Sequence, residues 1–160
     1  MKVKEVLKVK GSTLYTATPD TPLSDAVVTM ADQDIGSLVV LKSGKLVGML
    51  TFREVIEVLA QRQREGRTGP TPTFSKITVG EALFSKPLTA DLDMEVDELR
   101  RVMLESHTRY VPVMEGEMLL GVISFHDVAR AVLEERSLEN KLLKAYIRDW
   151  PEQDKEEGKL

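Results

Sequence analysis

Gly48-Met49-Leu50-Thr51-Phe52-Arg53-Glu54 returns 73 residues later as Gly121-Val122-Ile123-Ser124-Phe125-His126-Asp127. The same offset holds upstream without a gap. It pairs Thr16-Ala17 with Thr89-Ala90, Asp20 with Asp93, Met30 with Met103, Val40 with Val113 and Leu46 with Leu119. A fixed register of this length marks an internal repeat. The chain therefore reads as two copies of one unit, 1–64 and 77–135.

Each copy is expected to run strand, helix, strand, strand, helix. In the first, Leu14–Thr18 is an extended run closed by Pro19-Asp20. Thr21 is the expected N-cap and Pro22 the first helical residue. Leu23, Ala26, Val27, Met30 and Ala31 follow at helical spacing. Ser37–Leu41 and Leu46–Thr51 flank Ser43-Gly44 as a hairpin, and a second helix from Val55 ends at Gly66. The second copy repeats this with Val96, Leu99 and Met103, then Val111–Met114, a turn at Gly116, and Met118–Ser124.

The stretch 65–76 holds two Gly and two Pro and reads as a linker. Thr78-Val79-Gly80-Glu81 reads as a capping box opening a short helix. The last helix overshoots its counterpart: residues 136–150 form an extension with stripes at Val128, Val132, Leu142 and Tyr146 and at Ala129, Leu133, Leu143 and Ile147. Pro151 stops it, and the charged tail 151–160 is expected to be disordered. The fold class is α/β (α+β): two tandem β-α-β-β-α units packed sheet to sheet with pseudo-twofold symmetry, a cleft on each side of the axis, and an extended C-terminal helix.

Composition narrows the chemistry. Of 160 residues, 42% are hydrophobic and 30% charged, the balance of a soluble globular chain. The net charge of −4 disfavours nucleic acid as a partner. No apolar run is long enough to span a membrane, and the charged start does not fit a leader peptide, so the expected compartment is the cytoplasm. With no cysteine, disulfides, thiol catalysis and Cys-based metal sites are excluded. His107 and His126 are not spaced as ligands, and no metal site is expected. No Gly-rich phosphate loop or nucleophile–base pair is present, so no enzyme is expected and there are no catalytic residues to name.

The repeated Gly-x-x-Ser/Thr-x-x-Asp/Glu motif has a physical logic. The hydroxyl falls at a strand-to-helix junction, where unpaired N–H groups favour a phosphate. The acid lies one turn in, on the same face, where it can accept both hydroxyls of a ribose. Ser/Thr-x-x-Glu is equally a capping box that needs no ligand. Asp127 is the poorer capping residue because its side chain is shorter, so ligand binding is favoured there over Thr51–Glu54.

The chain resembles the CBS-domain family over nearly its whole length. The residues that carry the resemblance are Thr18-Pro19-Asp20-Thr21-Pro22-Leu23, Ile35-Gly36-Ser37-Leu38-Val39-Val40, Arg109-Tyr110-Val111-Pro112-Val113 and the two terminal motifs. The resemblance is to small stand-alone pairs. It implies a regulatory module that binds adenosine-containing ligands (AMP, ADP, ATP, NAD(H) or S-adenosylmethionine) between the two repeats. It implies no required cofactor, a homodimer, and a regulated partner protein. Carried over, one site would use Ser124 and Asp127 with Gly11, Tyr15, Ile35, Gly36 and Ser37. The other would use Thr51, Arg53 and Glu54 with Ser85, Thr108, Arg109, Tyr110 and Val111. Arg53 and Arg109 are the expected phosphate cations.

Two departures from the family pattern bear on those sites. Glu54 stands where the pattern has Asp, and the extra methylene displaces the carboxylate. The strand at Val39 lacks the proline found at Pro112. The first makes the Asp127 site the expected better one; the second leaves the entry to that strand less rigid. They also keep open an alternative, a structural or interaction scaffold with the same fold and degenerate nucleotide sites. Ligand binding separates the two readings.

Overall fold

The computed structural model describes residues 1–10, 14–66, 74–83 and 86–148. Most of the linker (67–73) and the tail lie outside these residues, as do Gly11 and Ser85 of the expected sites.

The first repeat contains β1 (Thr16–Ala17), α2 (Leu23–Asp32), β2 (Ser37–Lys42), β3 (Lys45–Thr51) and α3 (Phe52–Arg64). It is preceded by α1 (Val3–Lys10). The second contains α5 (Val96–Ser106), β4 (Tyr110–Glu115), β5 (Met118–Ser124) and α6 (Phe125–Arg148), preceded by the single turn α4 (Val79–Ala82). β1 pairs parallel with β2, which pairs antiparallel with β3. β4 and β5 form the equivalent antiparallel hairpin, and the two sheets touch through β3 and β5. The expected first strand of the second repeat shrinks to one parallel bridge, Ala90 to Val113.

Local chemistry explains these elements. Ser43 and Gly44 both have positive φ, 52° and 77°, which matches the twist a two-residue hairpin turn requires. Each hairpin slips register at the same place, between Val40 and Leu41 and between Val113 and Met114. Thr78 and Glu81 close the expected capping box on α4. At α2 the expectation shifts by one residue: Pro22 is the N-cap, and Thr21 Oγ1 instead accepts the Thr18 N–H at 3.0 Å. Pro22 lacks a side chain that could cap, and the Leu23 N–H is instead taken by Ile77 O at 2.8 Å.

The entry helices are exchanged between the repeats. The first core holds Leu23, Ala26, Met30, Leu38, Val40 and Leu50, completed by Val79 and Ala82 from α4. The second holds Val96, Leu99, Met103, Val111, Val113 and Ile123, completed by Val3 and Val6 from α1. Backbone hydrogen bonds tie the crossing in matched pairs. Val3 N–H donates to Met94 O at 2.9 Å, as Val79 N–H donates to Thr21 O at 2.8 Å. Lys4 N–H donates to Leu92 O, as Gly80 N–H does to Pro19 O, and Val96 N–H donates to Met1 O, as Leu23 N–H does to Ile77 O. Val3-Lys4-Glu5-Val6-Leu7 is thus the counterpart of Val79-Gly80-Glu81-Ala82-Leu83, at an offset of 76 rather than 73 residues. Fully burying a side chain of this kind contributes about 1.5–3 kcal/mol. Each core therefore depends on residues lent by the other repeat.

Candidate functional site

β3 ends at Thr51, which is also the N-cap of α3. Thr51 Oγ1 accepts the Arg53 N–H at 3.2 Å, and Glu54 Oε2 accepts the Thr51 N–H at 2.8 Å. The Thr51 hydroxyl also donates to Glu54 Oε2. Glu54 is thus fixed one turn into α3, half-buried, with one carboxylate oxygen committed to the cap.

In front of this junction lies a cleft of about 660 Å³. One wall is Met49, Thr51, Phe52, Arg53, Glu54 and Ile56 from the first repeat. The other is Lys86, Pro87 and Leu88 with Thr108, Arg109 and Tyr110 from the second. Of the residues expected around Glu54, Thr51, Arg53, Thr108, Arg109 and Tyr110 all line it. Val111 does not: it is wholly buried in the second core, and Ser85 lies outside the described residues. Arg53 and Arg109 are exposed at the rim. Cations, apolar walls and the carboxylates of Glu54 and Glu57 together suit a ligand with a flat base, a hydroxylated middle and an anionic end.

The equivalent seat in the second repeat has the same junction. Asp127 Oδ2 accepts the Ser124 N–H at 2.8 Å, and Ser124 Oγ accepts the Asp127 N–H at 3.1 Å. Asp127 is therefore a full reciprocal capping partner, despite the expectation that its shorter side chain would reach back less well. A cation also sits on it. Lys10 Nζ, at the end of α1, donates to Asp127 Oδ2 at 2.6 Å and to Val122 O at 2.8 Å. Burial by itself would raise the Asp127 pKa. The hydrogen bonds from Lys10 and Ser124, with the charge of the Lys10 ammonium, outweigh burial and hold the carboxyl below its ordinary range.

The residues expected beside Asp127 are dispersed among other contacts. Tyr15 Oη donates to Gln33 Oε1 at 3.0 Å, and Ile35 packs on the first core. Ser37 pairs with Thr51 across the hairpin. Gly36 lies against the other cleft: a Cβ there would stand 1.8 Å from Tyr110 Oη. His126 is exposed on the first turn of α6. Lys10 and Lys86 were not singled out by the sequence. Their signal is the shared 76-residue offset of the entry helices, visible once a three-residue gap is allowed. Among the described residues no group of three or more His, Asp or Glu side chains is placed to hold a metal, and no helix is long and apolar enough to cross a membrane.

The family model described as CBS domain matches residues 3–61 and 79–134. A CBS domain-containing protein of Arabidopsis thaliana, CBSX3, described as mitochondrial, is 31% identical over 91% of this chain and 71% of its own length. A CBS-domain-containing protein of Agrobacterium tumefaciens, known as a crystal structure, superposes with a TM-score of 0.71 at 28% identity, covering 82% of this chain and 98% of that one. The CBS domain pair of protein MJ0100 shares the fold, with a TM-score of 0.69 at 23% identity over 84% of this chain and 98% of its own.

Proposed function

The chain belongs to the CBS-domain family as a tandem pair, and from that premise we propose that it is a non-catalytic sensor of an adenosine-containing ligand. The ligand sits in the cleft at Thr51–Glu54. The observation that carries this reading is the composition of that cleft. Its walls come from both repeats and set Arg53, Lys86 and Arg109 around the Thr51–Glu54 junction. Phosphates go to these cations and to the N-terminus of α3, the ribose to the Glu54 carboxylate, and the base to the apolar wall of Phe52, Ile56 and Tyr110. The MJ0100 pair was solved with 5′-methylthioadenosine and S-adenosyl-L-methionine, which supports the ligand class.

We place the ligand here rather than at Asp127, the seat the sequence favours, because Lys10 already engages that carboxylate. Occupancy bridges the two repeats, so it can favour one arrangement of them over another, as any switch requires. The output passes to a second copy of the chain or to a regulated protein. Exposed Leu59 on α3 and Leu138, Leu142, Tyr146 and Ile147 on α6 supply apolar surface for such contacts.

A thermal-shift panel of AMP, ADP, ATP, NAD, NADH and S-adenosylmethionine tests this. A ligand at a hundred times its Kd adds about 2.7 kcal/mol, a rise of roughly 5–10 °C for a chain of this size. Arg109→Ala abolishes the rise. A panel with no shift in the wild type would leave the scaffold reading in its place.

A further inference from the structure

We propose that Lys10 is a built-in plug of the Asp127 seat, so that the chain takes one ligand rather than two. This rests on reading the Thr51–Glu54 cleft as the ligand site. Repeat symmetry provides two equivalent acid seats, each with a lysine at the matching position of its exchanged entry segment, Lys10 and Lys86. Only Lys10 reaches a carboxylate. Its ammonium is held by Asp127 Oδ2 and by the carbonyl of Val122; the Lys10 side chain is 35% exposed and Asp127 21%.

The reason for the difference is local. α1 runs eight residues, to Lys10, and carries that side chain across to the second repeat. α4 is a single turn that ends at Ala82. Lys86 precedes Pro87, and a residue before proline is pushed out of the helical region. Lys86 therefore lies on an extended stretch along the wall of the Glu54 cleft, where its ammonium can meet phosphate.

A ribose diol offers a carboxylate two neutral hydroxyl donors. The ammonium adds a full opposite charge to its hydrogen bond, which a hydroxyl donor lacks. It is also tethered, so its local concentration far exceeds that of any free metabolite. A ligand entering the Asp127 seat must displace this contact and leave the Val122 carbonyl without its donor. One entering the Glu54 cleft meets no such competitor.

Isothermal titration with ATP, AMP and S-adenosylmethionine reads the stoichiometry in the wild type, Lys10→Met and Lys10→Met/Asp127→Asn. We expect one ligand per chain in the wild type, two in Lys10→Met, and one again in the double variant. Two ligands in the wild type, or one in both the wild type and a folded Lys10→Met, overturns the plug. If the wild type binds none and Lys10→Met binds one that the double variant loses, the plug stands and the Glu54 reading falls. No binding by any variant overturns both. Lys10→Gln replaces Lys10→Met if the latter does not fold.

Discussion

Glu54 and Asp127 occupy the same place in two copies of one unit. Each is one turn into a helix, and each accepts the N–H of a hydroxyl residue at the end of a strand. They differ in what reaches them from outside the motif. Glu54 faces a cleft walled by both repeats, whereas Asp127 carries the ammonium of a residue 117 positions away. The motif itself therefore does not decide whether a seat is open. The decision lies in the entry segment, where a long helix delivers one lysine and a proline withholds the other.

The exchange of entry helices is the foundation of that difference, and breaking it has the largest expected effect. Val3 and Val79 are both fully buried, in opposite cores. Val3→Asp and Val79→Asp each bury an unpaired charge and should cost more than about 3 kcal/mol. Urea unfolding measures the loss. Native-state hydrogen exchange should place the lost protection in the second repeat for Val3→Asp and in the first for Val79→Asp. Protection lost in the other order would refute the crossing.

The next effect is at Gly36, where any side chain must move the Tyr110 ring. Gly36→Ala should cost about 1–3 kcal/mol from overpacking. It should also weaken ligand binding in the Glu54 cleft, which Tyr110 lines, and titration calorimetry on a folded variant checks that.

The two acids can then be compared directly. Asp127→Asn removes the charged partner of Lys10, which keeps its bond to the Val122 carbonyl, and should cost about 1–3 kcal/mol, the range for losing a charged hydrogen bond. Glu54→Gln loses only part of a cap and should cost under about 1 kcal/mol. The pH dependence sharpens this contrast. The folded pKa of Asp127 is below its ordinary value, so its contribution is fully present above about pH 4. It falls away as acid protonates the carboxyl through the folded value. Acid titration of stability should therefore flatten in Asp127→Asn.

The smallest effect is at His107, which holds φ 54° at the C-cap of α5. His107→Gly relieves a left-handed conformation and should gain up to about 1 kcal/mol. A thermal melt reads it. Its counterpart Asp34, at φ 51°, should gain less, because Asp tolerates that region better.

The paired hairpins, the amphipathic α2 and α5, the capping boxes at Thr51 and Thr78 and the family were legible in the sequence, because each rests on local spacing. Thr51, Arg53, Glu54, Thr108, Arg109 and Tyr110 were grouped through the family pattern, and they line one cleft. α1 escaped for a specific reason. The 73-residue register is gapless only from Thr16 onward, and Val3-Lys4-Glu5-Val6-Leu7 matches its counterpart only after a three-residue gap. The ion pair of Lys10 with Asp127 was beyond reach, because nothing local in either segment specifies a contact over that separation.

The crossing of α1 also has a consequence for synthesis. The first repeat is translated before the α4 residues that close its core, so it cannot finish folding until Val79 and Ala82 have left the ribosome. α1 emerges first and docks last, because its platform includes Ile123 and Val128. For most of translation it is a short segment without a partner, too short to hold a helix alone, exposing Val3 and Val6. The nascent chain must be protected over that interval, and the two halves become a stable protein in one late step.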